Sequence, residues 1–187
     1  MRYSLEVVTP AATTPISVAD YKAAARVTVS SEDTLIATYI EAATRVFQDA
    51  TNLQLIDAEF RLTLDDFSGY PISLKKSRVK SIESVKYYDL NNVQQTLSSD
   101  IYELRDSKLA IFAPQVNKDF PSVHERMRAV EINFIAGFGD ADDIPKDIRS
   151  ILFLLTSQFY EDREARELSP YSEAMMMLMA PYKVYFP

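Results

Sequence analysis

The apolar residues of this chain change their spacing twice, and no short motif constrains the fold as strongly. In the stretch opened by Ser30-Ser31-Glu32-Asp33 and running to about Thr51, Ile36, Ile40, Ala43, Phe47 and Ala50 follow at intervals of four, three, four and three, which is one stripe on a helix. From Leu53 onward the period becomes two: Ala58, Phe60, Leu62 and Leu64 alternate with Glu59, Arg61 and Thr63, as in a strand with one face on a core. After Gly137-Phe138-Gly139 the helical period returns in Ile148, Ile151, Leu152, Leu155 and Phe159. Helix, then strands, then helix is an α+β order, with helices flanking a β-rich section. The segments are N-terminal helices over 17–52, a β-rich insertion over 53–137, C-terminal helices over 144–180 and an aromatic tail over 181–187. At 187 residues they are expected to form a single domain, 1–187, around one sizeable core.

Local signals refine the boundaries. Pro10 and Pro15 mark the stretch up to Ile16 as an extended arm rather than a packed element. Ser17 with Asp20 three positions on forms a capping-box signature before the Ala-rich run Ala19 to Arg26, and the hydroxyls and carboxylates of Ser30 to Asp33 suit the next helix start. Further strands are predicted at Pro71 to Leu74, Val79 to Asp89, Thr96 to Leu104, Lys108 to Ala113 and Arg128 to Ala136, with Asn91-Asn92 and Asp106-Ser107 at turns that tolerate positive φ. Pro145 and Asp147 fit the first turn of the later helix. The charged run Glu161 to Glu167 reads as its solvated last turn, and Ser169-Pro170 opens a Met-rich helix that Pro181 stops.

Composition excludes several function classes. A formal net charge of −7 disfavours tight non-specific binding to a phosphate backbone. With no cysteine there is neither a disulfide framework nor a thiolate metal site. The three glycines, Gly69, Gly137 and Gly139, build no phosphate-binding loop. No apolar run approaches the roughly 20 residues that span a bilayer, and Met1-Arg2-Tyr3-Ser4-Leu5 lacks the features of a secretory leader, so neither membrane insertion nor export is expected.

Candidate functional residues divide between chemistry and contact. His124, the only histidine, lies in the polar stretch Ser122 to Arg126 and reads as a surface side chain. Asp140, Asp142 and Asp143 could suggest a hard-cation site, yet they lack the glycine and distal glutamate of a calcium loop, and helix capping accounts for them. Lys75, Lys76, Arg78, Lys80 and Lys86 form the one basic strip, which is either an interface or a solvated strand edge. Met175, Met176, Met177 and Met179 with Leu178 suit either an adaptable contact surface or a core helix. Phe153, Leu154 and Tyr160 lie off the inner stripe of their helix, which implies a partner surface. Tyr182, Tyr185 and Phe186 follow Pro181 in a tail too short to bury itself, and they are side chains that anchor interfaces. The candidate contact residues are therefore Tyr182, Tyr185, Phe186, Met176, Met179, Lys76 and Lys80; no catalytic, cofactor or metal site is expected.

Read in order, several segments resemble the head-to-tail connector (head-completion adaptor) family of tailed phages, prophages and gene transfer agents. They are Val8-Thr9-Pro10, Pro15 to Lys22, Glu32-Asp33 through Ala43, Leu64-Asp65-Asp66-Phe67, Ile72-Ser73-Leu74 and Val79 to Asp89. The most specific is Ala136-Gly137-Phe138-Gly139-Asp140 with Ile144-Pro145, Ile148, Leu152 to Leu155 and Tyr160 to Glu164. Thr51-Asn52-Leu53 stands where the family often has a Thr-Gly turn, and Lys75-Lys76-Ser77 replaces a proline-containing loop. The resemblance implies a fold that is mainly a helical bundle with an inserted antiparallel β-rich section, and a structural, non-enzymatic subunit, typically one of twelve in a ring. That ring would bind the portal protein, offer a platform to a stopper or tail-completion protein, and pass double-stranded DNA through its lumen without specific binding. Its place would be the virion's head-tail interface, after assembly in the host cytoplasm. Twelve copies at −7 carry about −84, a lumen sign that repels sliding DNA. The alternatives are a tail-completion or stopper component of the same particle, or a metal-dependent hydrolase that would lose activity on Asp140→Ala.

Overall fold

The computed structural model describes residues 3–68, 71–106, 108–161 and 172–186. Where the sequence suggests one domain, the chain divides into two compact units. A β-rich unit takes the residues up to Ala11, Asp57–Gly137 and those from Val184; a helical unit takes Ala12–Ile56 and Phe138–Lys183.

The helical unit contains α1 (Val18–Ala25), α2 (Asp33–Thr51), α3 (Lys146–Glu161) and α4 (Glu173–Met179). α1 starts as its sequence dictates: the Ser17 hydroxyl accepts from the Asp20 N–H at 3.0 Å and the Asp20 carboxylate accepts from the Ser17 N–H at 3.4 Å. α2 starts differently from expectation. Glu32 is its N-cap and makes no side-chain cap bond; its carboxylate instead accepts from the Tyr160 hydroxyl of α3. α2 ends at Asn52, which takes the left-handed conformation at φ 60°, the conformation for which glycine is the usual residue and asparagine the common substitute. Ile36, Ile40, Ala43 and Phe47 of α2 are buried, as are Ile148, Ile151, Leu152 and Leu155 of α3, so both predicted stripes form the core; Ala50 and Phe159 are only half-buried. Phe159 stacks on Tyr39 with ring centroids 6.5 Å apart.

Ahead of α3, Asp140 and Asp143 form a capping box around a single 3-10 turn, Ala141–Asp143. Gly139 precedes it at φ 130°, and a Cβ there would stand 2.2 Å from an Asp143 carboxylate oxygen, so this carboxylate position requires glycine.

The β-rich unit holds two antiparallel sheets. The larger has the order β1-β2-β8-β4-β5 and the smaller β3-β7-β6. The strands are β1 (Tyr3–Thr9), β2 (Ala58–Leu64), β3 (Ile72–Ser73), β4 (Val79–Tyr88), β5 (Gln94–Thr96), β6 (Tyr102–Asp106), β7 (Ile111–Pro114) and β8 (Val130–Ala136). Two expectations change. The stretch before Pro10 is no free arm, since Tyr3 to Thr9 pairs with β2. The segment Thr96 to Leu104 is not one strand: it contains the end of β5, a loop and the start of β6, with Leu97 of the loop buried.

In the large sheet, Phe60, Leu62 and Leu64 of β2 oppose Phe134, Ile132 and Val130 of β8, all on the buried face. Phe60 and Phe134 stack at 5.7 Å. Behind them Phe67, Phe120 and Phe112 form a stacked series at 4.5 and 5.2 Å, with Tyr102 against Phe112 at 5.3 Å. Aromatic pairs of this kind add about 0.5–1.5 kcal/mol each beyond area burial. The opposite face is polar: Arg61 donates to Asn133 at 3.0 Å, and Asn133 to Ser84 at 3.2 Å. The β4–β5 turn is built by Asp89, whose carboxylate accepts from the N–H groups of Asn91 and Val93 while Asn92 sits at φ 60°. Gln95 and those backbone donors hold the Asp89 carboxyl below its ordinary value. The companion turn prediction, Asp106-Ser107, reaches outside the described residues at Ser107, as does the run from Asp162 through Ser169-Pro170.

Candidate functional site

α4 carries the methionines in two environments. Its N-cap, Ser172, accepts from the Met175 N–H, and the helix is so short that its sides separate cleanly. Met179 is fully buried, whereas Met176, Met177 and Leu178 are 42%, 67% and 44% exposed. Met176 is thus available for contact, but the prediction that Met179 meets a partner is corrected: its side chain is buried within the chain, on a helix that packs against α2 and α3. Leu154 of α3, which the spacing placed off the inner stripe, is 47% exposed, while Phe153 and Tyr160 are half-buried.

The aromatic tail is corrected more deeply. Tyr182 lies in a short 3-10 turn, Ala180–Tyr182, with its ring 6.1 Å from that of Phe47 and its hydroxyl donating to Asp147. That bond raises the Tyr182 hydroxyl to about 12 and holds the Asp147 carboxyl below its ordinary value. Val184 is buried, and Phe186 packs against the core of the β-rich unit. The tail is therefore covered by its own chain, not left bare for a partner. Tyr185 alone among its described aromatics is free of such burial, at 79% exposed.

The basic strip is largely engaged within the chain. The Lys80 ammonium pairs with Asp57 at 2.8 Å, Lys76 lies 5.5 Å over the Phe60 ring and Lys75 lies 5.8 Å over the Tyr3 ring. Lys75 and Arg78 both have left-handed backbone, φ 60° and 63°, which gives this loop its tight geometry without the proline that the resemblance would place there.

His124 is half-buried, not fully on the surface. It borders a cleft of about 430 Å³ together with Asp65, Asp66, Glu125 and Arg126. Its Nδ1 is buried without a hydrogen-bond partner among the described residues, so none of their carboxylates binds that nitrogen to orient the ring as a general base would require. The Asp65 and Asp66 carboxylates accept from the N–H groups of Arg128 and Ser68. The Asp66 bond closes a local turn, whereas the Asp65 bond ties two segments 63 residues apart, and both are structural. Asp142, the third carboxylate of the other acidic group, lies 3.9 Å from Arg149. Among the described residues, no three histidine or carboxylate side chains gather as metal ligands.

What these features provide is contact area: an exposed methionine and leucine surface on α4, an exposed Tyr185, and a sheet with open edges. Residues 15–113, more than half of the chain, match the family described as phage gp6-like head-tail connector protein. None of the curated proteins matches. Among solved structures, a chain in the neck of an empty gene transfer agent particle, determined with C6 symmetry, is similar at TM-score 0.80 and 23% identity, over 97% of this chain and 96% of that one. A chain in the virion of the native particle gives 0.77 and 23% over 97% and 95%. One in the native neck, determined with C12 symmetry, gives 0.77 and 22% over 97% and 96%. At these identities the likeness is one of fold, and it extends over both units.

Proposed function

The chain belongs to the phage gp6-like head-tail connector family, and from that membership we propose that it works as one copy in a ring, as a structural part and not a catalyst. The ring sits on the portal at the head-tail interface of a phage-like particle. It offers its far side to a stopper or tail-completion protein, and double-stranded DNA passes through its lumen without sequence-specific contact. Twelve copies is the number that fits a neighbour seen in a C12 neck.

The observation that carries this reading is the extent of the fold likeness: nearly the whole chain, helical and β-rich units alike, follows chains found in particle necks. Exposed apolar side chains on α4 and α3 support it, because side chains such as Met177 at 67% exposure gain from a partner surface. Tyr185 and Met176 are the contact residues we favour, together with Lys76 and Lys80 only if an acidic neighbour can compete with Phe60 and Asp57. A cyclic assembly is also the economical use of a single repeated chain, since one pair of unlike surfaces closes it.

The test is the mass of the purified protein in solution, alone and mixed with the portal ring of the same particle. Multicopy binding to the portal is expected. A chain that ignores the portal and binds tail proteins would replace this reading with the tail-completion one.

A further inference from the structure

The five-stranded sheet is open at both ends. Among the described residues β1 pairs only with β2, and β5 only with β4, so each leaves a row of backbone N–H and C=O groups directed outward. β1 is seven residues long, contains neither proline nor lysine, and exposes Tyr3, Val7 and Val8. Natural sheets usually shorten, charge or cover such an edge. At the opposite edge, Leu90 and Val93 of the β4–β5 turn are 69% and 52% exposed.

The edges also differ in charge. Beside β1, Glu6 accepts from the Ser4 hydroxyl at 3.3 Å and Glu59 from the Thr9 hydroxyl at 2.9 Å, and neither forms an ion pair among the described residues. Beside β5, Lys86 forms no ion pair among the described residues either, and Arg126 there meets neutral groups, lying 3.9 Å over the Tyr88 ring and donating to Asn92 at 3.0 Å. The charges that no ion pair engages among the described residues are thus carboxylates beside β1 and cations beside β5, although Arg61 stands across from Glu6 and Glu131 across from Lys86 in register. Antiparallel pairing of β1 with a second β1 would bring two acidic edges together instead.

Strand direction favours the same arrangement. Each of the four pairings from β1 to β5 is antiparallel, so β1 and β5 point the same way. Rotation about a ring axis places unlike surfaces of successive copies together, which here sets β1 of one copy alongside β5 of the next as parallel neighbours. We propose that successive copies of this chain join through these two edges, so that the sheet continues from copy to copy. This rests on the ring reading above and names the contact that closes it.

Cysteine cross-linking tests the contact without background, because the chain has no cysteine. Tyr3, Val7 and Gln95 lie on the same face of the sheet by register, and Tyr3 and Gln95 share one cross-strand row. Tyr3→Cys or Val7→Cys would each be combined with Gln95→Cys and assembled with the portal ring. Oxidation should then give a ladder of covalent oligomers for at least one pair, and none for any single variant. In parallel, Val7→Lys should weaken multicopy assembly at least tenfold with an unchanged melting temperature. Assemblies that form with neither cross-link, and that tolerate Val7→Lys, would overturn the edge contact while leaving the ring intact. Dimers from Val7→Cys alone would overturn it in favour of a two-fold contact. If no multicopy particle forms with any variant or with the unsubstituted chain, the ring reading fails and this contact with it.

Discussion

Neighbouring residues of one type can have opposite roles, and the methionines show it. Met177 and Met179 are two positions apart on α4, yet one is 67% exposed and the other is fully buried. The sequence could not separate them, because a helix of seven residues with six consecutive apolar positions has no polar side to set its phase. Met179→Ala should cost about 2–5 kcal/mol, the range for truncating a buried methionine, whereas Met177→Ser should stay within about 0.5 kcal/mol. Equilibrium denaturation of the two variants checks this, and equal effects would contradict the burial. Other residue-scale features were legible. Ser17 and Asp20 announced their capping box, and Asn52 took the left-handed turn that glycine fills more often, because its short polar side chain tolerates that conformation.

At the scale of elements, what could be read depended on how completely an element is buried. β2 and β8 alternate closely because every second residue meets the core, with buried Thr63 and apolar Ile135 as the exceptions. β1 escaped notice for the converse reason: only one side of an edge strand is covered, Tyr3 and Val7 on its core-facing side remain 57% exposed, and no burial period is imprinted on the sequence. The tail was misread because a short aromatic segment gives no sign of whether it docks on its own chain, a matter of long-range packing. Its docking changes what truncation means. Removing the chain from Val184 onward deletes a buried valine and the partly buried Phe186, worth about 2–5 kcal/mol together at roughly 1.5–3 kcal/mol for each full burial. Such a truncation should lower the melting temperature, so loss of portal binding by it would not by itself identify a contact. Tyr185→Ala removes the exposed ring instead and should leave the melting temperature unchanged. A calorimetric scan of both variants distinguishes them, and an unshifted truncation would mean that the tail contributes nothing to the fold.

For the whole molecule, charge decides how a ring of this protein treats the DNA that passes it. The net charge of −7 opposes a polyanion at long range, and a local basic surface could overcome it only with cations free to release counterions from phosphate. The basic strip is poorly placed to do so. Lys80 is neutralised by Asp57, and Lys75 and Lys76 lie over aromatic rings. Moving Lys80 to a phosphate would leave Asp57 without its cation, when one oxygen of that carboxylate is already buried without a hydrogen bond, and unpairing such a group is costly. Duplex DNA should therefore show no mobility shift with micromolar protein at physiological ionic strength. Asp57→Asn, which releases Lys80 and lowers the negative charge, should bring the protein closer to binding, detectable first at low salt where screening is weakest. A strong shift by the unsubstituted protein would mean that a basic face outweighs the net charge, and a lumen that holds DNA would replace one that lets it slide.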